Sequence, residues 1–133
     1  MTYKTLATRA RSARARAHSP YSHFRVGAAL LTKSGKVYMG CNVESSSYGL
    51  TMCAERTAMF KAVSEGEKQF VAIAVASDEK SFTSPCGACR QVIMDLAGDI
   101  DFIMINSKGE LKTMKMSTLL PFPFGDKNLS NRK

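Results

Sequence analysis

Residues 70–76, Phe-Val-Ala-Ile-Ala-Val-Ala, make an apolar run without a polar side chain, set between two segments of helical periodicity. Such a strand has to be covered on both faces, so it belongs inside a sheet with helices above and below. The flanking pattern agrees. Residues 53–63 place Ala54, Ala58, Met59 and Ala62 on one helical stripe, with Gly66 suited to end it. Residues 86–96 read as another helix that stops near Gly98. Near the start, Leu6, Ala7, Ala10, Ala13 and Ala17 line one side of a helix over residues 2–17. Ser19-Pro20 ends it, because a residue before proline avoids the helical region.

Residues 24–31 and 37–44 flank a Lys33-Ser34-Gly35-Lys36 turn and predict a hairpin. Residues 100–105 and a short segment over 111–114, joined through Ser107-Lys108-Gly109, predict two more strands. The order helix, hairpin, helix, strand, helix, strand, strand implies an α/β fold. It is a three-layer α-β-α sandwich on a mixed five-stranded sheet, with right-handed crossovers in its parallel units. One domain over residues 1–133 is expected, with an irregular, Pro/Gly/Asn-rich tail from about residue 121.

No stretch of 18 apolar residues exists, so no membrane span is expected. Residues 1–16 are basic without an apolar core, which argues against a secretory signal and for a cytoplasmic protein. A mitochondrial-type leader stays open, because this segment is Arg-rich and lacks acids. The net charge is +8, and residues 1–43 contain no Asp or Glu. Such a segment suits either a solvated basic face or the steering of a nucleic acid. The charges are scattered and not interleaved with base-stacking aromatics, which favours the solvated face, and no nucleic-acid partner is expected.

In a reducing compartment the four cysteines, Cys41, Cys53, Cys86 and Cys89, are not a disulfide framework. Cys86 and Cys89 are three apart at the start of one predicted helix, and Cys53 opens another. Unpaired N–H groups and the positive dipole end favour thiolates there. Buried core cysteines, or a redox pair at Cys86 and Cys89, are the alternatives. A redox pair leaves Cys53 and Glu55 unexplained. Three thiolates leave one tetrahedral zinc position open, as in a catalytic site. Glu55 is either a solvated first-turn glutamate or a general base beside the metal. Arg56, and after it Arg90, are candidates to offset the negative charge of the sulfurs, with a plain surface arginine the alternative for Arg90. His18 and His23 precede the first strand and read as surface or loop residues. Asn42 and Glu44 share a face at a strand end, exposed to solvent or lining a ligand site; Cys41, on the other face, is expected in the core.

These motifs, Cys53-Ala54-Glu55-Arg56 and Pro85-Cys86-Gly87-Ala88-Cys89, closely resemble those of the small homotetrameric zinc-dependent cytidine deaminases. The resemblance runs from about residue 17 to about residue 124. It includes Pro20-Tyr21-Ser22-His23-Phe24-Arg25-Val26-Gly27-Ala28-Ala29 and Gly40-Cys41-Asn42-Val43-Glu44. It implies a cytidine deaminase-like fold and one Zn²⁺ per chain held by Cys53, Cys86 and Cys89, with Arg56 behind them and Glu55 as the catalytic carboxylate. It implies a substrate site of Phe24, Asn42, Glu44, Ala54 and Phe124. Asn42 and Glu44 would bind the ribose 3′-hydroxyl, Phe24 would line the base site, and Phe124 would stack on the base bound by a neighbouring subunit, with Phe122 the other candidate.

The implied activity is hydrolysis of free cytidine and deoxycytidine to uridine and deoxyuridine with loss of ammonia, a step of pyrimidine salvage. Zinc-bound hydroxide attacks C4 while Glu55 shuttles protons to N3 and to the leaving amino group. A nucleic-acid-editing deaminase is disfavoured, because Glu44 would meet a phosphodiester of like charge. A deaminase of a nucleoside antibiotic would alter the sugar site, and a zinc-stabilised binding module would have no use for Glu55. The expected partners are therefore the free nucleoside and, in a homotetramer, neighbouring subunits that complete each site.

Overall fold

The computed structural model describes residues 1–130, so the last three residues of the expected 1–133 domain lie outside the described residues. The chain order is α1 (Tyr3–Ala13), β1 (Val26–Thr32), β2 (Val37–Cys41), α2 (Ala54–Ser64), β3 (Phe70–Ser77), α3 (Gly87–Ala97), β4 (Asp101–Ile105) and β5 (Leu111–Lys115). Two short helices follow, α4 (Met116–Leu119) and α5 (Lys127–Ser130). One five-stranded sheet runs β2-β1-β3-β4-β5. The β3–β4 pair is parallel and the other three pairs are antiparallel. The apolar run of residues 70–76 is thus the middle strand of the expected mixed sheet.

The two-residue period of β3 supplies both faces of the core. Ala72, Ala74 and Ala76 pack with Leu6, Ala7 and Ala10 of α1 and with Ala29, Ile103 and Ile105. Ile73 and Val75 pack on the opposite side with Ala58, Met59 and Ala62 of α2, Ile93 of α3 and Phe102. Two glycines let the helices approach the sheet. A Cβ on Gly27 would lie 2.1 Å from Ala10 O, and one on Gly40 would lie 2.5 Å from Ala58 N and 2.6 Å from Ala54 O. Small residues on both sides of these contacts bring α1 onto β1 and α2 onto β2.

Topology sets where the functional segments meet. Strands β2 and β3 are each antiparallel to β1, so they run in one direction. The segments that leave their carboxyl ends lead to the starts of α2 and α3. Both helix starts therefore lie at one end of the sheet, the end at which open α/β sheets present ligands.

The structure departs from the expected boundaries where side chains replace ladder bonds. The strand expected from residue 24 begins at Val26, because Asn42 Oδ1 accepts the Val26 N–H and Asn42 Nδ2 donates to Phe24 O. The return strand expected to residue 44 ends at Cys41. Beyond it Val43 changes partners, forming bridges with His18 and Met52. Cys41 is half-buried on edge strand β2 rather than in the core, and its thiol donates to Arg16 O at 3.4 Å. The tail from residue 121 is irregular until the helical turn Lys127–Ser130. No helix among the described residues is long and apolar enough to cross a membrane.

Candidate active site

Cys53 and Cys86 are the N-cap residues of α2 and α3. Cys86 Sγ accepts the Cys89 N–H at 3.5 Å, so a sulfur caps the helix in place of the usual oxygen. Among the described residues, the Sγ atoms of Cys53, Cys86 and Cys89 all lie within 4.8 Å of one another and form a group able to hold a metal ion. The Cys53 and Cys86 sulfurs are 3.8 Å apart. Thiolates bound to tetrahedral zinc at ~2.3 Å have an S···S edge of about 3.8 Å, so the donor set fits that ion. No His, Asp or Glu joins the group among the described residues, which leaves one tetrahedral position for water or substrate.

The charges point the same way. Cys53 is pulled down to about 5, first by the Cys89 thiol donating to it and then by Arg56 and Cys86. The Cys89 thiol is pushed up by that same bond and by burial. Thiolates this close repel one another, and a bound cation removes that conflict. Arg56, one turn after Cys53, donates from Nη2 to Cys53 Sγ at 3.2 Å. Its own pKa is raised, chiefly by that bond. Arg56 Nε is buried without a hydrogen-bond partner among the described residues.

Glu55 is 5 % exposed, not the solvated first-turn glutamate of the simpler reading. Burial raises its pKa to about 7, Cys53 adds to the rise, and its own backbone N–H and Arg56 oppose it. A carboxyl group near 7 is available both to accept and to return a proton at neutral pH. Ala54 opens α2, and its N–H is among the first four that a helix cannot pair internally.

Asn42 and Glu44 grip one loop from two points. Asn42 is 8 % exposed and holds Phe24 and Val26 as described above. Glu44 Oε1 accepts the N–H groups of Tyr21 and Ser22 at 3.0 and 3.1 Å, and Oε2 accepts the Ser22 hydroxyl. The Ser22 hydroxyl is the main cause of a lowered Glu44 pKa. Ser22 Oγ also accepts the Phe24 N–H at 3.0 Å, making it the hub between Glu44 and the half-buried Phe24. Sequence reasoning passed over this serine, although a hydroxyl two residues before a backbone N–H is a turn signal. Glu44, Tyr21, Ser22, Tyr48 and Thr51 line a cleft of about 390 Å³, and from Thr51 the chain reaches Cys53 in two residues.

The tail touches α3 through its backbone, Gln91 Nε2 donating to Phe124 O at 2.8 Å, while its two rings face outward. Phe122 is 98 % and Phe124 58 % exposed. His18 and His23 are exposed, as expected, and His23 has a positive φ of 58° in the turn before Phe24.

The chain matches the family model described as the cytidine and deoxycytidylate deaminase zinc-binding region over residues 1–105. It is 47 % identical over 131 residues to a cytidine deaminase of Sporosarcina psychrophila, covering 98 % of this chain and 96 % of the relative. It is 57 % identical over 116 residues to a probable cytidine deaminase of Dictyostelium discoideum, covering 85 % and 77 %. The crystal structure of a cytidine deaminase from Burkholderia pseudomallei superposes with a TM-score of 0.90 at 46 % identity, over 93 % of this chain and all of that one.

Proposed function

The chain belongs to the zinc-dependent cytidine deaminase family, and from that premise we infer that it hydrolyses the amino group of free cytidine and deoxycytidine, giving uridine or deoxyuridine and ammonia. The observation that carries the reading is a buried carboxyl, Glu55, two residues from a thiol cluster that leaves one metal position open.

Cys53, Cys86 and Cys89 are the residues that would hold one zinc ion per chain. When bound, zinc acidifies water to a nucleophile at neutral pH and stabilises developing negative charge. Arg56 offsets the thiolate charge at Cys53. Glu55 takes a proton from the attacking water and passes it to N3 of the base, which makes C4 more electrophilic. It then moves the hydroxyl proton to the departing amino group. Its pKa near 7 suits both directions of transfer.

Phe24 is assigned to the base, and the N–H of Ala54 to a carbonyl of the substrate. Asn42 and Glu44 are assigned to the ribose 3′-hydroxyl. Glu44 retains acceptor capacity on Oε2 beyond the Ser22 bond. A nucleic-acid strand would bring its 3′ phosphodiester against this carboxylate, which supports a free nucleoside.

The exposed Tyr48, Leu50, Phe122 and Phe124 support a homotetramer in which Phe124 of one subunit stacks on the base bound by another. Pyrimidine salvage in the cytoplasm accords with this reading. The test is ammonia release from free cytidine, cytosine base and a cytidine-containing oligonucleotide. Turnover of cytidine with little from the other two is expected; preference for the oligonucleotide overturns the assignment.

A further inference from the structure

Arg90 follows Cys89 in α3, near the positive end of the helix dipole, where a cation is disfavoured. Side chains on a helix lean toward its N-terminus, and Arg90 reaches back over the start of α3. Nε donates to Pro85 O at 2.9 Å, Nη2 to Ser84 Oγ at 2.7 Å and Nη1 to Leu119 O at 2.8 Å. The first two acceptors lie in the loop that delivers Cys86. The third ends α4, just before the exposed Phe122 and Phe124. The next residue extends the contact, since Gln91 Nε2 donates to Phe124 O at 2.8 Å. Residues 119 and 124 are thus both held by α3, and one of the two side chains also holds the cysteine loop. A planar guanidinium meets three acceptors in fixed directions, which a lysine ammonium on its flexible stem does not reproduce.

We propose that Arg90 is a positioning residue that locks the loop carrying Cys86 to the C-terminal segment carrying Phe122 and Phe124, so that the metal ligand and the tail keep their places together. For Cys86 the proposal rests on the metal-site reading above; for the tail it rests on the hydrogen bonds alone. Without the guanidinium, the carbonyls of Pro85 and Leu119 lose their shared donor and the two segments move independently.

Zinc-loaded parent, Arg90→Ala, Arg90→Lys and Gln91→Ala proteins are compared in two measurements on the same samples. One is zinc release to excess chelator. The other is chymotryptic cleavage after Phe124, with cleavage after the exposed Tyr48 as internal reference. Arg90→Ala is expected to weaken zinc retention about 10–100-fold and to speed tail cleavage relative to Tyr48. Dilute guanidinium ion should restore both together. Gln91→Ala should speed tail cleavage alone. Arg90→Lys should move both readouts in the same direction as Arg90→Ala, and it carries the test if the alanine variant does not fold. Unchanged zinc release, faster release with an unchanged tail, or equal acceleration at Tyr48 overturns the proposal. If the parent holds no zinc, the metal-site reading fails, and alkylation of the Cys86 thiol reports on the loop instead. That rate should still rise with tail cleavage in Arg90→Lys, and an unchanged rate overturns the link.

Discussion

Arg56 Nη2 stands 3.2 Å from Cys53 Sγ, so the residue one turn into α2 returns its charge to the thiolate of the residue at the N-cap position of the same helix. Donors to ligand sulfurs tune both the affinity and the chemistry of a metal site. Arg56→Gln should therefore weaken zinc binding about 10–100-fold in chelator competition while leaving the fold intact by circular dichroism. Unchanged zinc affinity would remove Arg56 from the account.

Gly40 determines how closely α2, which begins just after Cys53 and carries Glu55, approaches the sheet. A methyl group there meets backbone atoms of Ala54 and Ala58 at 2.5 to 2.6 Å, so the helix has to move. Gly40→Ala should cost about 1–3 kcal/mol in denaturant titration, as overpacking does. A Cβ on Gly87 meets nothing within 4 Å, and Gly87→Ala should stay within about 0.5 kcal/mol of the parent. Equal effects at the two positions would contradict the close-approach argument.

Asp101 ties α1 to the sheet and shapes the pH dependence of stability. Tyr3 Oη donates to Asp101 Oδ2 at 2.6 Å, and Lys115 Nζ lies 3.0 Å from Oδ1. The Tyr3 hydroxyl, then Lys115, hold the Asp101 carboxyl below its ordinary range. That contribution is complete above the unfolded value of ~3.9 and is lost as pH falls through the lower folded value. Tyr3 is pushed up to about 12, first by the bond to Asp101 and then by burial. Its contribution is complete below the unfolded value of ~10 and is lost as pH rises from there toward the folded one. Asp101→Asn should flatten both limbs of the stability curve. Loss of neither dependence would show that this contact contributes nothing measurable.

The tail reading is open to a subunit-mixing experiment. Removing Phe124 should cost about 1–3 kcal/mol in the specificity constant if its ring stacks on a base. Mixing a Glu55→Gln chain with a Phe124→Ala chain, under conditions that exchange subunits, should raise activity above the sum of the two. Mixed oligomers would then contain sites with both groups. Exchange confirmed by mass, with activity at the sum, would assign Phe124 to its own chain or to no site.

The layer order was readable because residues 70–76 have no polar face and the helical stripes on either side are regular. The cysteine cluster was readable because its spacing is local to two helix starts. What stayed hidden depends on which distant backbone comes close. Asn42 takes the place of a ladder partner for Val26, so β1 starts later than its apolar pattern suggests. Alternation suggests a core position for Cys41, yet β2 is an edge strand and leaves that thiol only half-covered. Ser22 reads in sequence as an ordinary polar residue and Arg90 as a partner for the sulfurs, whereas Ser22 joins Glu44 to Phe24 and Arg90 bonds the loops at Pro85 and Leu119.

Glu55 carries the central claim, and one comparison tests it most directly: steady-state turnover of free cytidine by the parent and by Glu55→Gln, with zinc content measured on both. The expected result is one zinc per chain in each protein and a loss of turnover of about 10²–10⁴-fold or more in the variant, the scale of general acid–base transfer. A zinc-replete Glu55→Gln protein that turns over cytidine within about 3-fold of the parent would contradict the account, because that ratio leaves less than about 1 kcal/mol for the carboxylate to supply.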